Sequence, residues 1–292
     1  MTNGVPPAAI YLAGAFLIPI LRGKWRQAYL LLIPVLAFYD LLFLSPGMSE
    51  GVRFMDYELV LLQVDRLSLC FGYVFVIMSF ASFLYALHIK GAGEHVAAFA
   101  YVGSSLGVVF SGDYFSLFLF WEIMAISSVF LIVFRRQHSS LQAGFRYLMV
   151  HIFGGCCLLG GIVVQWTHSG SIAFTRPETS AAFYLILIGF GLNAAIPPLH
   201  AWLTDAYPEG TVTGSVFMTA YTTKTGVYVL ARTFSGVELV AWLGAVMAVY
   251  GVILAFVVSD IRRLLAYHIV SQVGYMVCGV GLGTEMSING ST

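Results

Sequence analysis

Long apolar runs follow one another through almost the whole of this 292-residue chain. Only 10% of its residues are charged, whereas soluble domains carry roughly 25%. So little polar surface cannot cover a globule in water, which excludes a conventional soluble enzyme and a disordered chain. Runs of about 20 apolar residues match the hydrocarbon thickness of a bilayer. We therefore expect an integral membrane protein.

The turn residues and charges between these runs predict about ten membrane-spanning helices. Helices are favoured because the strands of a membrane barrel would show segments of about ten residues with alternating polarity. The expected fold is all-α and polytopic. The predicted spans are residues 6–22, 27–44, 62–88, 95–111, 113–134, 141–166, 180–202, 211–234, 238–258 and 264–282.

The basic residues in the loops predict the orientation of the protein in the membrane. Nine of them fall on one side: Arg22, Lys24, Arg26, Lys90, Arg135, Arg136, Arg146, Arg262 and Arg263. Four fall on the other: Arg53, Arg66, Arg176 and Arg232. Cytoplasmic loops carry the excess of Lys and Arg. We expect the N-terminus to lie outside, in the inner membrane of a bacterium.

Four polar residues lie near the midpoints of four different spans: Glu122, His151, Asn193 and Lys224. A polar or charged group at that depth is costly unless it is paired or hydrated. From the helical rise, the four share one depth to within roughly 3 Å. This pattern predicts a lateral chain of proton-carrying sites. The alternatives are a structural Glu122–Lys224 ion pair, a core histidine bonded to a backbone carbonyl, and an asparagine that joins two helices.

Other residues favour a hydrated path around these four. Tyr147 precedes His151 by one turn, and Gly154 and Gly155 follow it, so that a second helix can approach closely. Lys224 shares a predicted stripe with Tyr221 and Tyr228 at i−3 and i+4. His268 lies closer to the cytoplasmic end of its span, where a proton entry site and a solvated histidine are equally consistent with the sequence.

The pair Pro197-Pro198 predicts a break in the seventh span. Neither proline can donate a backbone hydrogen bond, so the carbonyls of Asn193 and Ala194 lose their helical partners. In hydrocarbon this is tolerated where protein covers the break or water reaches it. Broken helices near the midplane recur in ion-translocating folds. His200 would then lie on the face of Asn193, toward the cytoplasmic end, although a kink that serves packing alone is the alternative.

The remaining residues have ordinary interpretations. The tryptophans near span ends predict an interfacial belt: Trp25, Trp166, Trp202 and Trp242. Loop carboxylates are expected to be solvated: Asp205, Glu209, Glu238 and Asp260. The cysteines lie in apolar runs, without the spacing of a metal site, and are interpreted as packing residues: Cys70, Cys156, Cys157 and Cys278. We expect no metal and no cofactor, because GFGLNA is too short and too deep for a dinucleotide fingerprint.

Five segments fall in order on the fifth to eighth and the tenth of these spans: SGDYFSLFLFWE, FRYLMVHIFGG, GFGLNAAIPPLHAWLTDAYP, TTKTGVYVLAR and SDIRRLLAYHIVSQVGYM. In this order they resemble the antiporter-like membrane subunits of multisubunit Na⁺/H⁺ (Mrp) antiporters, respiratory complex I and membrane hydrogenases. The resemblance runs from about residue 64 to residue 290 and is strongest to the D-type subunits of Mrp antiporters.

The resemblance implies roles for particular residues. The essential glutamate of the family falls on Glu122, the lysine of its TK-x-GVY segment on Lys224, and its broken seventh helix on the stretch around Pro197-Pro198. One departure concerns Asn193, which occupies the usual position of a lysine. The usual glutamate–lysine pair between helices five and seven is therefore absent, and Lys224 is the candidate to replace it.

The resemblance also implies an organisation in repeats. Residues 1–94 would form three N-terminal helices, residues 95–234 the first antiporter-like repeat, and residues 235–292 the start of a second repeat that is truncated.

We expect a transporter rather than an enzyme, one that moves protons, with sodium as a second candidate ion. Its partners would be other membrane subunits and the lipid bilayer, and no nucleic acid is expected, since the net charge is zero. A proton-pumping subunit of a complex I-like or hydrogenase assembly and an inactive structural fragment are the alternatives.

Overall fold

The computed structural model describes residues 5–54, 57–177 and 179–291, and these are mostly helical. Five of the described helices are long and apolar enough to cross a membrane, namely those at Arg66–His88, Tyr114–Val133, His138–Ser169, Glu238–Val257 and Ile261–Leu282. This agrees with an integral membrane protein. The figure of ten spans stays a prediction.

The elements in chain order are α1 (Pro7–Ala15), α2 (Gly23–Leu41), β1 (Ser49–Phe54), β2 (Tyr57–Gln63), α3 (Arg66–Tyr85), α4 (Ala92–Phe110), α5 (Tyr114–Val133), α6 (His138–Ser169), α7 (Ser180–Asn193), α8 (Ala201–Ala206), α9 (Val212–Ala220), α10 (Thr222–Phe234), α11 (Glu238–Val257), α12 (Ile261–Leu282) and α13 (Glu285–Ser291).

Two of the predicted spans are each divided into two helices. The span at 180–202 contains α7 and α8, with a non-helical segment between them. The span at 211–234 contains α9 and α10, which are separated at Tyr221 (φ −116°, ψ −64°). The first break was predicted from the prolines, whereas the second has no proline or glycine to mark it.

The chain forms two compact units. The first runs to Phe134 and takes in Thr211–Tyr221, so that it contains α1 to α5, the strands and α9. Its helices meet through buried apolar side chains and a few polar links. The Tyr11 hydroxyl of α1, for example, is hydrogen-bonded to the Ser79 hydroxyl of α3, and both residues are fully buried.

The strands β1 and β2 correct the all-α expectation. They pair antiparallel, with Phe54 opposite Tyr57. Asp113 joins this hairpin to α5, because one carboxylate oxygen accepts from Val60 N at 2.7 Å and the other accepts from Ser116 N as the helix cap. Asp65 caps α3, because its carboxylate accepts from Ser68 N.

The second unit takes Arg135–Gly210 and the chain from Thr222 onward. Its helices approach one another at glycines. A side chain at Gly189 of α7 would lie 3.0 Å from the carbonyl oxygen of Gly154 on α6, and one at Gly161 would meet Ile186 at 2.6 Å. The prediction that the glycines after His151 admit a second helix is confirmed at Gly154.

The α11–α12 pair shows the same close approach along its whole length. A Cβ at Gly274 would lie 2.4 Å from Ala248 N, and one at Gly251 would lie 2.6 Å from Ser271 N. The Ser271 hydroxyl donates to the Ala248 carbonyl at 3.0 Å. Small residues allow two backbones this near, which is how membrane helices gain packing contacts when lipid competes for apolar surface.

The structure changes two interpretations made from the sequence, one of the cysteines and one of Trp202. Cys70 and Cys156 are exposed rather than packed inside, and all four cysteines are free. Trp202 is only 4% exposed, so it does not belong to an interfacial belt. Trp25, Trp166 and Trp242 are 80%, 40% and 66% exposed, as a belt requires.

We predict that Gly274→Ala destabilises the protein, because its methyl group would overlap the α11 backbone, and overpacking of this kind costs about 1–3 kcal/mol. Gly160→Ala is the matched control, since its nearest neighbour would be 3.9 Å away. The midpoint of thermal unfolding in detergent measures both. Equal midpoints for the two variants would contradict the close approach of α11 and α12.

Candidate functional site

The break after α7 is the centre of the site in the second unit. As the prolines predict, α7 ends at Asn193, and Pro197-Pro198 follows with a cis peptide bond. Polar groups of the break are satisfied locally: Ala195 N donates to Leu192 O at 3.0 Å and Ile196 N to Gly191 O at 2.9 Å. The chain then resumes as the short helix α8.

Trp202 on α8 closes this break. Its indole N–H donates to the carbonyl of Leu192 at 2.9 Å, which satisfies a carbonyl at the end of α7. Its ring also contacts the rings of His151 at 4.7 Å and Tyr147 at 5.4 Å, edge to face in both cases. Trp202 therefore connects the broken helix to the predicted proton-carrying histidine.

His151 lies in a closed aromatic pocket. It is 2% exposed, and its ring stacks on Tyr147 at 3.9 Å. Its Nδ1–H donates to the Tyr147 carbonyl at 2.9 Å, so that Nε2 is left as the acceptor of the neutral ring. Nε2 is buried and has no hydrogen-bond partner within the described residues. The interpretation as a core histidine bonded to a carbonyl accounts for one ring nitrogen only.

Asn193 lies at the break and faces α10. It is 1% exposed, and its amide nitrogen is buried without a hydrogen-bond partner in the described part of the chain. Gly226 on α10 lies against this backbone, since a Cβ there would be 2.6 Å from Ala194 N. Because α7 and α10 meet at this glycine, the helix that carries Lys224 packs directly on the break.

Lys224 lies in the first turn of α10, half-buried, two residues before Gly226. Tyr228 follows it at i+4 and is fully buried, and its hydroxyl accepts from Arg232 Nη1 at 2.6 Å. The Arg232 guanidinium also lies 5.0 Å from the ring centre of Phe174. The part of the predicted stripe that runs from Lys224 to Tyr228 is present on one helix.

Tyr221 does not extend that stripe, because it precedes α10 and belongs to the first unit. Its hydroxyl donates to the Phe75 carbonyl at 3.0 Å, and its ring packs on Phe75 and Tyr101. The i−3 spacing from Lys224 would place it on the lysine's face only in a continuous helix. The break at Tyr221 removes that continuity.

His200 also departs from its predicted position. The expectation that it shares a face with Asn193 assumed a regular helix, and the six residues between the two are not helical. Its Nε2 is hydrogen-bonded to the Tyr250 hydroxyl on α11 at 3.0 Å, and its Nδ1 is buried without a partner among the described residues.

The loop beyond α8 is held by arginines. Arg146 binds both carboxylate oxygens of Asp205 at 2.7 and 2.8 Å, and Arg135 approaches Glu209 at 3.4 Å. Arg262 donates to the Pro208 carbonyl at 2.8 Å. Asp205 and Glu209 were interpreted as solvated loop residues. They are instead half-exposed partners: Asp205 holds α8 to Arg146 of α6, and Glu209 accepts from the Ser139 hydroxyl of α6.

The two remaining predicted residues, His268 and Glu122, take part in none of the contacts described above. His268 is exposed on the second turn of α12. Glu122 lies at the middle of α5 in the first unit, half-buried at the edge between the exposed and buried faces of the helix. Its Oε1 is buried and has no hydrogen-bond partner in the described ranges.

Two residues of the site were not predicted as part of it. Trp202 was assigned to the interface because it lies near a span end, and Tyr250 lies in an apolar run with no neighbouring polar residue. Each acquires its role from a partner more than nine residues away along the chain, and no local pattern carries that information.

These features define a class of polytopic membrane protein that carries buried ionisable residues around a broken helix. A family model described as "NADH:quinone oxidoreductase/Mrp antiporter, TM" matches residues 111–292. The chain belongs to this family. The family resemblance inferred from the five ordered segments is confirmed.

Similar proteins belong to membrane complexes. The chain is 31% identical to the N subunit of NADH-quinone oxidoreductase from Desulforudis audaxviator, over 64% of this chain and 41% of that protein. It is 28% identical to the D-type subunit of the Na⁺/H⁺ antiporter from Alkalihalophilus pseudofirmus, over 63% of this chain and 42% of that protein. A chain of the membrane-bound sulfane sulfur reductase, an archaeal respiratory membrane complex, superimposes with a TM-score of 0.87 at 26% identity, over 99% of this chain and 53% of that one. The chain spans about two fifths of the length of the curated relatives it matches.

We predict that Trp202→Phe lowers stability by at least about 1 kcal/mol, because a smaller aromatic ring takes its place and the hydrogen bond to Leu192 is lost. Trp166→Phe is the control, since Trp166 is 40% exposed on α6. Chemical denaturation in mixed micelles, followed by circular dichroism, measures the free energy of unfolding of each. A larger loss for Trp166→Phe would refute the bridging role of Trp202.

Proposed function

We propose that the chain translocates protons across the membrane as the D-type subunit of a multisubunit cation/proton antiporter. The observation that carries this proposal is the interrupted helix α7–α8, around which His151, Asn193 and His200 have buried polar atoms without a hydrogen-bond partner in the described part of the chain. Buried polar atoms in native proteins almost always have partners. Several unpaired ones around one break are what a path for water and protons requires.

His151 is suited to relay a proton. A neutral imidazole with Nδ1–H donated to a carbonyl offers Nε2 to an incoming proton, and a ring that accepts a proton at one nitrogen can release one at the other. The stacked Tyr147 and the edge of Trp202 hold the ring in a fixed plane. His200, whose Nε2 already faces Tyr250, would carry the path toward the arginine-held loop.

Lys224 and Glu122 supply the charge that drives the transfer in this proposal. We infer that the protonation of Lys224 depends on the charge of Glu122. Asn193 cannot take the part of the lysine that the family usually has at its position, since an amide does not titrate.

The names of the relatives support a role within a complex. One is a subunit of a Na⁺/H⁺ antiporter, which favours exchange of sodium for protons. In this proposal residues 95–234 form the first antiporter-like repeat and the chain from residue 235 begins the second, after three N-terminal helices in residues 1–94. The ion exchanged for the proton would be bound by the assembled complex.

A second candidate is a proton-pumping subunit of a respiratory complex. The similarity to a subunit of NADH-quinone oxidoreductase and to a chain of an archaeal respiratory complex favours it. In that setting the same residues would move protons while redox chemistry takes place elsewhere in the assembly. Purification of the native complex distinguishes the two, since copurified iron–sulfur proteins favour the respiratory assembly and small antiporter subunits favour the antiporter.

We predict that Lys224→Ala lowers cation-driven proton transport at least about tenfold, equivalent to about 1.4 kcal/mol in activation free energy. Glu122→Gln should cause a loss of similar size, and the double variant should lose little more, because the two charges act as one unit. The measurement is dye-reported acidification of liposomes that contain the whole complex.

Arg263→Ala is the control for these variants, since Arg263 is an exposed residue outside the proposed path. All variants must assemble to the same amount of complex. Normal transport by both Lys224→Ala and Glu122→Gln would end the proposal. A wild-type complex without any transport would favour an inactive structural fragment.

We also propose the orientation with the N-terminus outside, in a bacterial inner membrane. We predict that Gln137→Cys reacts with a membrane-impermeant maleimide in everted vesicles and Val52→Cys in right-side-out vesicles, above the background of the native cysteines. Both positions are exposed, one between α5 and α6 and the other on β1. The reverse pattern would invert the proposed topology.

A further inference from the structure

An apolar groove lies between α4 and α5 in the first unit, and its lining includes no residue of the proposed path. It has a volume of about 620 Å³. Its walls include Ala92, Gly93 and Ala100 from α4, and Ile123, Ile126 and Phe130 from α5. The hydroxyl of Ser127, the polar side chain of the lining, donates to the Met124 carbonyl, so its hydrogen is already used.

The groove runs from one end of the helix pair to its middle. Ala92 is the first residue of α4 and Phe134 directly follows α5, so both mark the same end. Ile123, at the midpoint of α5, marks the deep end. Eight residues of helical rise separate Ala92 from Ala100, which gives a length of about 12 Å.

Basic residues lie next, along the chain, to residues that line one end of the groove. Lys90 precedes Ala92 by two residues, and Arg22 and Lys24 follow Pro19, which also lines the groove. Two hydrogen bonds hold these two segments together, from the Arg26 guanidinium to the Lys90 carbonyl and from Gln27 Nε2 to the Leu87 carbonyl at 3.0 Å.

The nearby carboxylate does not neutralise this cluster at its surface. Glu94 is half-buried, and its Oε1 accepts hydrogen bonds from the hydroxyls of Thr211 and Thr213. By contrast, Arg22, Lys24 and Lys90 are exposed. Trp25 beside them is 80% exposed, as is typical of a side chain at the level of lipid head groups.

The chemistry of the groove favours a lipid chain as its occupant. Its lining is apolar apart from Ser127, and an extended hydrocarbon chain needs no hydrogen-bond partner from such walls. The basic residues next to one end of the lining match a negatively charged head group.

We propose that this groove binds an acyl chain of an anionic phospholipid whose head group lies among Arg22, Lys24 and Lys90. Apolar walls receive the chain, and the basic cluster selects a negative head group over a zwitterionic one. Juxtamembrane Lys and Arg residues attract anionic lipids in this way, by about fivefold for each basic residue. The site does not depend on the proposed proton path.

The test uses the purified complex, stripped of loosely bound lipid and exposed to palmitoyl-oleoyl phosphatidylglycerol or the phosphatidylcholine with the same chains. Native mass spectrometry counts the lipid retained. We expect wild type to retain phosphatidylglycerol at least about fivefold more than phosphatidylcholine. The pair Lys24→Gln and Lys90→Gln should reduce that preference at least about fivefold, to what Arg22 alone supplies, while the Arg26 tether remains. The control pair Arg53→Gln and Arg66→Gln should keep it.

A groove-filling variant separates the chain site from the charge. Ala100→Phe should reduce retention of both lipids, whereas Val74→Phe, which enlarges an exposed residue of α3, should reduce neither. A photo-crosslinking side chain at Ile126 tests the wild-type groove without reliance on the folding of Ala100→Phe, and it should capture phospholipid. Equal retention of the two lipids by wild type, or capture of a protein segment at Ile126, would overturn the proposal.

Discussion

A bilayer interior offers no hydrogen-bond partner to a broken helix, and this constraint shapes the second unit of the protein. The break between α7 and α8 survives because protein groups occupy its polar atoms. Leu192 O accepts from the Trp202 indole and from Ala195 N, and Gly191 O accepts from Ile196 N. A tryptophan that would be an interfacial anchor elsewhere in a membrane protein is here drawn inside to satisfy a carbonyl.

The same constraint accounts for the glycines around the break. Gly154 brings α6 onto α7, and Gly226 brings α10 onto Asn193 and Ala194. Helix backbones at such distances exclude lipid and enclose His151 and Asn193 with part of their hydrogen-bonding capacity unused. The packing that makes the break tolerable thus also creates a polar interior in which a proton can be held.

Some elements could be predicted from the sequence because their signals are local. Others could not, because they depend on contacts that are distant along the chain. The end of α7 at Asn193 follows from two prolines that lack N–H groups. The break at Tyr221 has no such signal, because the Tyr221 hydroxyl and ring bind Phe75 and Tyr101, more than a hundred residues earlier. The β1–β2 hairpin lies in a stretch of mixed polarity that was interpreted as a loop. Asp113 then ties it to the start of α5.

The sequence by itself determined the membrane location, the family, the position of the proline break and the few ionisable residues that lie deep in apolar runs. These depend on composition and spacing, which are properties of neighbouring residues. Only the tertiary structure decided that Trp202 lies against His151, that His200 faces Tyr250, and that arginines hold Asp205 and Glu209. Such contacts join residues that are distant along the chain, and the helix breaks between them change which faces meet.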